Sequence, residues 1–197
     1  MTSALYLALP LMVILVVLQS ALLPRFPVFG VVPQLMFVAT IAWALLRGLR
    51  EGLVWAFVAG LFYDLFSAGP LGISSLSLMA AVAIAIFIQR SFPESRIILP
   101  IVLGAVTTVV FWAIYLLLLR ILMPLILDYQ TSLGIIDLTE NPEVRNLVSI
   151  IVRAYGLNRS TLAFIIPMAL LHSLLILPIY WAFYAIERTI SPAQVEI

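Results

Sequence analysis

Residues 49–72 read LREGLVWAFVAGLFYDLFSAGPLG, and this is the most specific segment of the sequence. Within it, small residues and one aspartate recur at every fourth position, at Gly52, Ala56, Gly60 and Asp64. Positions four apart lie on the same face of an α-helix, so the spacing predicts a helix with one small-residue face. Such a face lets a second helix approach closely, which is how helices pack where lipid replaces water. The Gly-Pro-Leu-Gly run that closes the stretch predicts a turn into another helix.

Asp64 ends this face and is the one acidic residue in the core of any predicted span. It lies about 18 Å from Gly52 along a helix, at 1.5 Å per residue. A charge at membrane depth costs at least ~2.5 kcal/mol, so the carboxylate is expected to face the protein interior and meet a partner. We expect that partner at Gly72-Ile73-Ser74-Ser75, where free backbone N–H groups and two hydroxyls begin the next helix. Three roles stay open for Asp64: a structural clamp, a proton or ion relay, and a contact with a partner protein.

The composition predicts an integral membrane protein. Apolar residues make up 64% of the 197 residues, charged residues 10%, and the mean hydropathy is +1.22. Soluble domains are roughly half apolar and about a quarter charged, and could not cover themselves with so few polar residues. The net charge of +1 excludes an overall basic field for binding nucleic acid. The chain has no cysteine, which excludes disulfides and thiolate ligands. No shift in composition divides it, so residues 1–197 are predicted to form a single membrane domain.

Six apolar stretches approach the roughly 20 residues that cross a bilayer core about 30 Å thick. They cover residues 4–23, 31–46, 50–66, 73–89, 97–119 and 161–186. Short cytoplasmic loops are enriched in basic residues, so arginines set the orientation. With both termini in the cytoplasm, the short outer loops carry only Arg25, whereas the inner segments carry Arg47, Arg50, Arg90, Arg96 and Arg188. The sequence therefore predicts an all-α bundle of six transmembrane helices with both ends inside.

Residues 128–160 form the long loop before the last predicted span and carry most of the remaining charge. Within this loop, the segment from 143 to 155 reads EVRNLVSIIVRAY, and its apolar residues fall at helical spacing. This pattern predicts an amphipathic helix. Its apolar face is made by Val144, Leu147, Val148, Ile151 and Tyr155. Two interpretations stay open: the helix lies in the outer membrane interface, or this face docks an extracytoplasmic partner.

Other polar residues in the predicted spans are expected to hold helices together. His172 is the single histidine, and among apolar neighbours it is interpreted as a hydrogen-bonded packing residue rather than a relay. Hydrogen bonds between helices are expected from Gln19, Ser20, Gln34, Thr107 and Thr108. The sequence contains no glycine-rich phosphate loop, no nucleophile motif and no cluster of carboxylates. We therefore expect no catalytic residue, no metal ligand and no cofactor, and a protein that is not an enzyme.

The same residues resemble a known family. Val32-Pro33-Gln34 precedes an apolar stretch, and Gly52, Gly60-Leu61, Asp64 and Leu71-Gly72 follow it. Together they resemble the rod-shape-determining family MreD, over roughly residues 33–90. The family commonly has an aspartate after the proline, where this chain has Gln34. By this resemblance, the structural or functional motif consists of Pro33, Gly52, Gly60, Asp64 and Gly72.

The resemblance implies a non-enzymatic scaffold of the bacterial elongasome in the cytoplasmic (inner) membrane, in contact with membrane lipid. Its implied partners are MreC, through it a class B penicillin-binding protein and RodA, and MreB filaments on the cytoplasmic side. Such a subunit supports peptidoglycan synthesis along the side wall and maintains cell shape. The family is also similar in fold to the substrate-binding subunits of energy-coupling-factor transporters. A vitamin-type substrate-binding subunit is therefore the first alternative, and a proton-coupled transporter or flippase using Asp64 and His172 is the second.

Overall fold

The computed structural model describes residues 2–28, 30–67, 70–91, 98–132 and 159–190. These residues form α-helices and contain no β-strand. The helices are α1 (Thr2–Val17), α2 (Leu35–Arg47), α3 (Leu49–Phe66), α4 (Ile73–Ser91), α5 (Ile98–Ser132) and α6 (Arg159–Ile190). A π-helical turn, Leu18–Leu22, and a 3-10 turn, Leu23–Arg25, continue α1. The amphipathic helix predicted over residues 143–155, with its five apolar partner-binding candidates, lies outside the described residues.

Three of these helices are long and apolar enough to cross a membrane, over Ile73–Ser91, Ile98–Ile126 and Thr161–Arg188. Two further apolar helices, Pro10–Arg25 and Leu35–Arg47, are shorter. The 18 residues of α3 include three charged ones, Arg50, Glu51 and Asp64, and α3 is not among the three helices that are long and apolar enough. The prediction of an all-helical membrane protein agrees with these findings. That the chain crosses the membrane six times remains a prediction.

The helix α2 begins at Leu35, four residues after the predicted start of the second span. Two features before it prevent an earlier start. Pro33 lacks a backbone N–H and disfavours helical geometry at the residue before it. Upstream, Val28 and Val31 exchange two backbone hydrogen bonds of 2.9 and 3.1 Å around a turn in which Gly30 has a φ of 76°. The first part of the predicted span is therefore a turn, and α2 has only 13 residues.

The helix α5 is longer than a bilayer requires. Its 35 residues span about 52 Å at 1.5 Å per residue, against a hydrocarbon core of about 30 Å. It continues past the predicted end at Leu119 through Arg120 and Pro124 to Ser132. Beyond Leu119 the residues Ile121 and Leu125 remain exposed. The C-terminal end of α5 therefore extends beyond the predicted membrane-spanning part.

The short helix α2 is the centre of the bundle. Ten consecutive residues, Met36 to Leu45, are buried on every side of it, as expected for a helix without a polar face. It packs against α3, α6 and α4, while α3 packs against α4 and α5 packs against both α4 and α6. A single residue, Gly48, joins α2 to α3, and its φ of 85° lies in the left-handed region that favours glycine.

Large apolar side chains cover the outside of the bundle. Phe87 of α4, Ile98 of α5 and Leu170 and Leu174 of α6 are each at least 66% exposed. A contiguous apolar exterior is unfavourable in water and is the surface that lipid requires. The charged residues Arg47, Glu51 and Glu187 gather at one end of the bundle, called here the arginine end. The opposite end carries the turn between α3 and α4 and is called the turn end.

Candidate functional site

The small-residue face of α3 is buried along its whole length, at Gly52, Ala56, Gly60 and Asp64, as the spacing predicted. A Cβ atom built on Gly60 would collide with the backbone of Ser75 in α4. A Cβ atom built on Gly52 would lie 2.5 Å from the Ala44 Cβ of α2 and 3.0 Å from a methyl group of α4. The face therefore meets two helices, α2 near the arginine end and α4 near the turn end. Glycine at these positions is a requirement of close approach.

Asp64 closes the turn between α3 and α4 from the inside. Its Oδ2 atom accepts a hydrogen bond of 2.6 Å from the Gly72 N–H, and both carboxylate oxygens lie 3.3 Å from the Ser74 nitrogen. The side chain is 2% exposed. These donors are the free N–H groups at the start of α4, so the predicted contact is present. The two hydroxyls that were predicted to meet Asp64 do not bind it: the Ser75 hydroxyl donates to the Phe57 carbonyl of α3 at 3.1 Å, and the Ser74 hydroxyl makes no hydrogen bond to the residues that the structure describes.

His172 joins α6 to the start of α2. Its Nε2 atom accepts a hydrogen bond of 3.1 Å from the Gln34 backbone N–H, so the imidazole is neutral and its proton lies on Nδ1. Nδ1 then donates to the Thr108 hydroxyl of α5 at 2.9 Å, and that hydroxyl donates onward to the Gly104 carbonyl at 2.6 Å. The ring also stacks on Phe37, with centroids 4.9 Å apart. Both ring nitrogens are therefore used between helices, in agreement with a packing histidine.

The start of α2 is capped by other helices. Its N-cap residue, Gln34, makes no side-chain cap of its own, although the first N–H groups of any helix need acceptors. His172 of α6 accepts from the Gln34 N–H, and the Gln19 side chain accepts from the Met36 N–H at 3.3 Å. Because the Gln34 side chain does not cap its own helix, its amide can donate to the Tyr63 hydroxyl of α3, at 3.0 Å. The residue after Pro33 thus links α2 to α3 as an uncharged hydrogen-bond donor.

The predicted hydrogen bonds between helices are partly confirmed. Gln19, Gln34 and Thr108 each bind a residue of another helix. The prediction is wrong for Ser20 and Thr107, whose hydroxyls donate to carbonyls four residues earlier in their own helix. Serine and threonine inside helices commonly make this local bond, because their short side chains reach the preceding turn.

These buried groups form one layer across the bundle. Their distance from the arginine end is similar along each helix. Asp64 lies 13 residues after Glu51, Gln34 lies 13 residues before Arg47, and His172 lies 15 residues before Glu187. At 1.5 Å per residue, each of them is about 20 Å from the arginine end. We call the set the polar layer. Its members are Gln19, Gln34, Tyr63, Asp64, Thr108 and His172. Residues from four helices, α2, α3, α5 and α6, and from the turn after α1 therefore meet at one depth.

Ion pairs and one neutral hydrogen bond connect the helices at the arginine end. The Arg47 guanidinium binds Glu51 at 3.0 Å and Glu187 of α6 at 2.8 Å. Nearby, the Gln89 amide of α4 donates to the Leu45 carbonyl at the end of α2, at 3.0 Å. The sequence did not predict the contacts with Glu187 of α6 and Gln89 of α4. Only Glu51 lies at helical spacing from Arg47, four residues later, and no spacing rule connects the other two residues to α2.

A groove of about 180 Å³ opens at the turn end beside the polar layer. Its lining combines hydrogen-bonding and apolar side chains: Val16, Gln19, Ser20, Met36, Tyr63, Phe66 and Ser67. The polar residues of the α1 turn come to lie beside the aromatic residues of α3 only through folding. The sequence analysis named Gln19 and Ser20 as hydrogen-bonding residues, but no spacing placed them beside Tyr63 and Phe66.

Within the described residues, no three His, Cys, Asp or Glu side chains come together to hold a metal ion. The fold and the polar layer define an all-helical membrane protein whose buried polar side chains hold its helices together. The chain is further matched over residues 1–137 by the family model of the rod shape-determining protein MreD, and it belongs to that family. No curated protein and no solved structure matches it. The matched region includes α1 to α5 and all five motif residues.

Membership connects the chain to the determination of rod shape, and the family is a structural component of that process. The motif residues are placed as follows. Gly52 and Gly60 make the close helix contacts, and Asp64 and Gly72 form the turn clamp. Pro33 is buried just before α2.

Proposed function

We propose that the chain is a non-enzymatic scaffold of the elongasome, which binds MreC in the cytoplasmic membrane and so supports side-wall peptidoglycan synthesis. Through MreC it would connect to a class B penicillin-binding protein and RodA, with MreB filaments on the cytoplasmic side. The family assignment supports the general role in rod shape. The specific partners are proposed from the resemblance to the family.

One observation carries the choice of a scaffold over a relay. Both oxygens of Asp64 face backbone N–H groups, and both ring nitrogens of His172 are hydrogen-bonded between helices. A proton relay needs a group that can change its partner or its charge during transport. Here protonation of His172 at Nε2 would remove the acceptor of the Gln34 N–H and break the contact between α6 and the start of α2. Protonation of Asp64 would take one of its two oxygens from the Ser74 N–H. The polar layer is therefore better suited to fixing one arrangement of helices than to moving ions.

The test is purification of the tagged chain from membranes. We expect MreC and the penicillin-binding protein to be recovered with it. The variant Asp64→Leu is expected to lower that recovery, while Leu65→Ala, which changes an exposed neighbour, keeps it. Recovery of a transporter ATPase in place of MreC would contradict the proposal.

The proposed orientation places the arginine end in the cytoplasm, with six crossings and both termini inside. The distribution of arginines supports it. Because the chain has no cysteine, single-cysteine variants report topology without background. A membrane-impermeant maleimide added to intact cells should label Leu71→Cys in the α3–α4 turn but not Ser91→Cys at the other end of α4; both positions are exposed. The reverse pattern would invert the orientation.

The partner-binding surface is proposed on the outer loop, at Val144, Leu147, Val148, Ile151 and Tyr155. These residues lie outside the described part of the chain, so the proposal rests on their amphipathic spacing alone. Replacing Leu147 and Ile151 with serine should reduce MreC recovery without lowering the amount of protein in the membrane. Replacing Ser149 with alanine, on the opposite face, is the matched control.

The groove favours one second candidate, a substrate-binding subunit of a transporter. Its aromatic and polar lining is of the kind that binds small molecules. Its size argues against this function, because about 180 Å³ is below the roughly 300 Å³ at which such pockets begin. The Ser20 and Ser67 hydroxyls also donate to carbonyls of the chain itself. If a water-soluble vitamin raised the melting temperature of the purified protein, and Met36→Trp abolished the rise, the second candidate would replace the first.

A further inference from the structure

Ser74 has a buried hydroxyl group with an unusual environment. The residue is 1% exposed, and its backbone N–H donates to Asp64. Its Oγ atom makes no hydrogen bond within the described part of the chain. The neighbouring serines of α4 are both satisfied, Ser75 by the Phe57 carbonyl and Ser77 by the Ile73 carbonyl four residues earlier. Ser74 cannot use that local bond, because the residue four positions earlier precedes the first turn of α4.

Ser74 is one of the residues that line a small cavity. Its volume is about 10 Å³, which is close to the smallest space that holds one water molecule. Nine residues line it: Gln34, Met36, Phe37, Ala59, Gly60, Tyr63, Ser74, Leu78 and Phe111. Most of these walls are apolar, and the hydrogen-bonding side chains among them are Gln34, Tyr63 and Ser74.

These three side chains have hydrogen-bonding capacity to spare. One amide hydrogen of Gln34 is donated to the Tyr63 hydroxyl, and the amide has a second hydrogen and an acceptor oxygen. The Tyr63 hydroxyl accepts that bond and still has its own proton to donate. A buried water molecule typically binds two to four polar groups that are otherwise unsatisfied. The cavity therefore combines the volume of one water molecule with three suitable partners.

We propose that this cavity binds one ordered water molecule, held by the Ser74 hydroxyl, the Gln34 side chain and the Tyr63 hydroxyl. The water joins two otherwise separate parts of the polar layer. On one side is the Asp64 clamp, to which Ser74 belongs. On the other is the start of α2, where Gln34 binds His172. The α3–α4 turn and the α2–α6 contact then form one connected hydrogen-bond network.

The sign of a stability change distinguishes a wet cavity from a dry one. If the water is present, Ser74→Ala removes one of its partners, and the melting temperature falls. If the cavity is dry, the same change removes a buried unsatisfied hydroxyl, and the melting temperature rises or stays the same. Ser77→Ala is the matched control for serine-to-alanine substitution in this helix, because Ser77 binds only its own helix. We expect Ser74→Ala to lower the melting temperature by more than Ser77→Ala does.

A density map that resolves ordered waters is the second measurement, and it does not depend on any variant. A peak within hydrogen-bonding distance of the Ser74 Oγ atom and of at least one of the other two side chains is the expected result. An empty cavity in a map that shows other buried waters would overturn the proposal. A melting temperature of Ser74→Ala at or above that of the unchanged protein would do the same.

Discussion

Replacement of Asp64 by leucine or by asparagine tests whether this carboxylate is a clamp. Leucine has no acceptor, so the Ser74 N–H would be buried without a partner, and the half-buried Gly72 N–H would also lose its acceptor. An unpaired buried donor costs about 1–3 kcal/mol, and the loss at Gly72 adds to this by less because water can reach part of that residue. We therefore expect a strong loss of stability in Asp64→Leu, even though leucine is the more favourable residue in lipid.

Asparagine should be much less harmful, and the geometry gives the reason. One carboxylate oxygen, Oδ2, lies 2.6 Å from the Gly72 nitrogen and 3.3 Å from the Ser74 nitrogen. The amide oxygen of asparagine can occupy this position and serve both donors. Only the second contact with Ser74 is lost, which corresponds to about 1 kcal/mol. The negative charge itself is therefore expected to matter less than the acceptor.

The assay is thermal unfolding of the purified variants in one detergent at one heating rate, because unfolding of such proteins is commonly irreversible. The expected order of melting temperatures is unchanged protein, Asp64→Asn and then Asp64→Leu, with the larger step between the two variants. Leu65→Ala, at an exposed position of the same helix, controls for a general effect on α3. Equal melting temperatures for Asp64→Asn and Asp64→Leu would refute the clamp.

Three further variants test the remaining contacts. Gly60→Ala should lower the melting temperature by more than Gly104→Ala, because its new methyl group would overlap the Ser75 backbone, whereas the tightest contact at Gly104, also with backbone, is a close but longer 3.0 Å. The reverse order would refute the close approach of α3 and α4. His172→Phe keeps the ring but leaves the Gln34 N–H unpaired, so unfolding measurements should show a loss of about 1–3 kcal/mol, and no loss would contradict the cap. Glu187→Gln weakens a partly exposed ion pair and should lower the free energy of unfolding by no more than about 1 kcal/mol. Because salt screens this pair, the difference in melting temperature from the unchanged protein should shrink as salt is added. A loss of stability that does not depend on salt would indicate another cause.

Local spacing was enough to predict the contacts of α3. Gly52, Gly60 and Asp64 stand on one face, and the donors for Asp64 lie only eight and ten residues ahead, across one turn. Within so short a segment, the helix period and the turn leave few other partners for a buried carboxylate. The small residues likewise indicated where another helix would come close, although they did not indicate that α2 and α4 would share the face.

The start of α2 was harder to predict. Pro33 indicated that the helix should start late, but the predicted span was placed by its apolar residues, and these continue upstream of Pro33. Gln34 was expected to bind another helix, but its partners come from α3 and from a residue 138 positions later. No spacing rule connects residues so far apart, since the sequence does not give the order of the helices around α2.

The amino-acid sequence was enough to predict a helical membrane protein, a packing face on α3, and a contact between Asp64 and the N–H groups that begin the next helix, while the role of Asp64 stayed open. These predictions follow from composition and from the 3.6-residue period, which act within one or two helices. The central position of α2, its caps from His172 and Gln19, and the shared depth of the polar groups were visible only in the folded bundle. Those features depend on which helices become neighbours, and that choice is made by packing across the whole bundle. The small-residue stretch at 49–72 is therefore where local pattern and tertiary packing agree most closely.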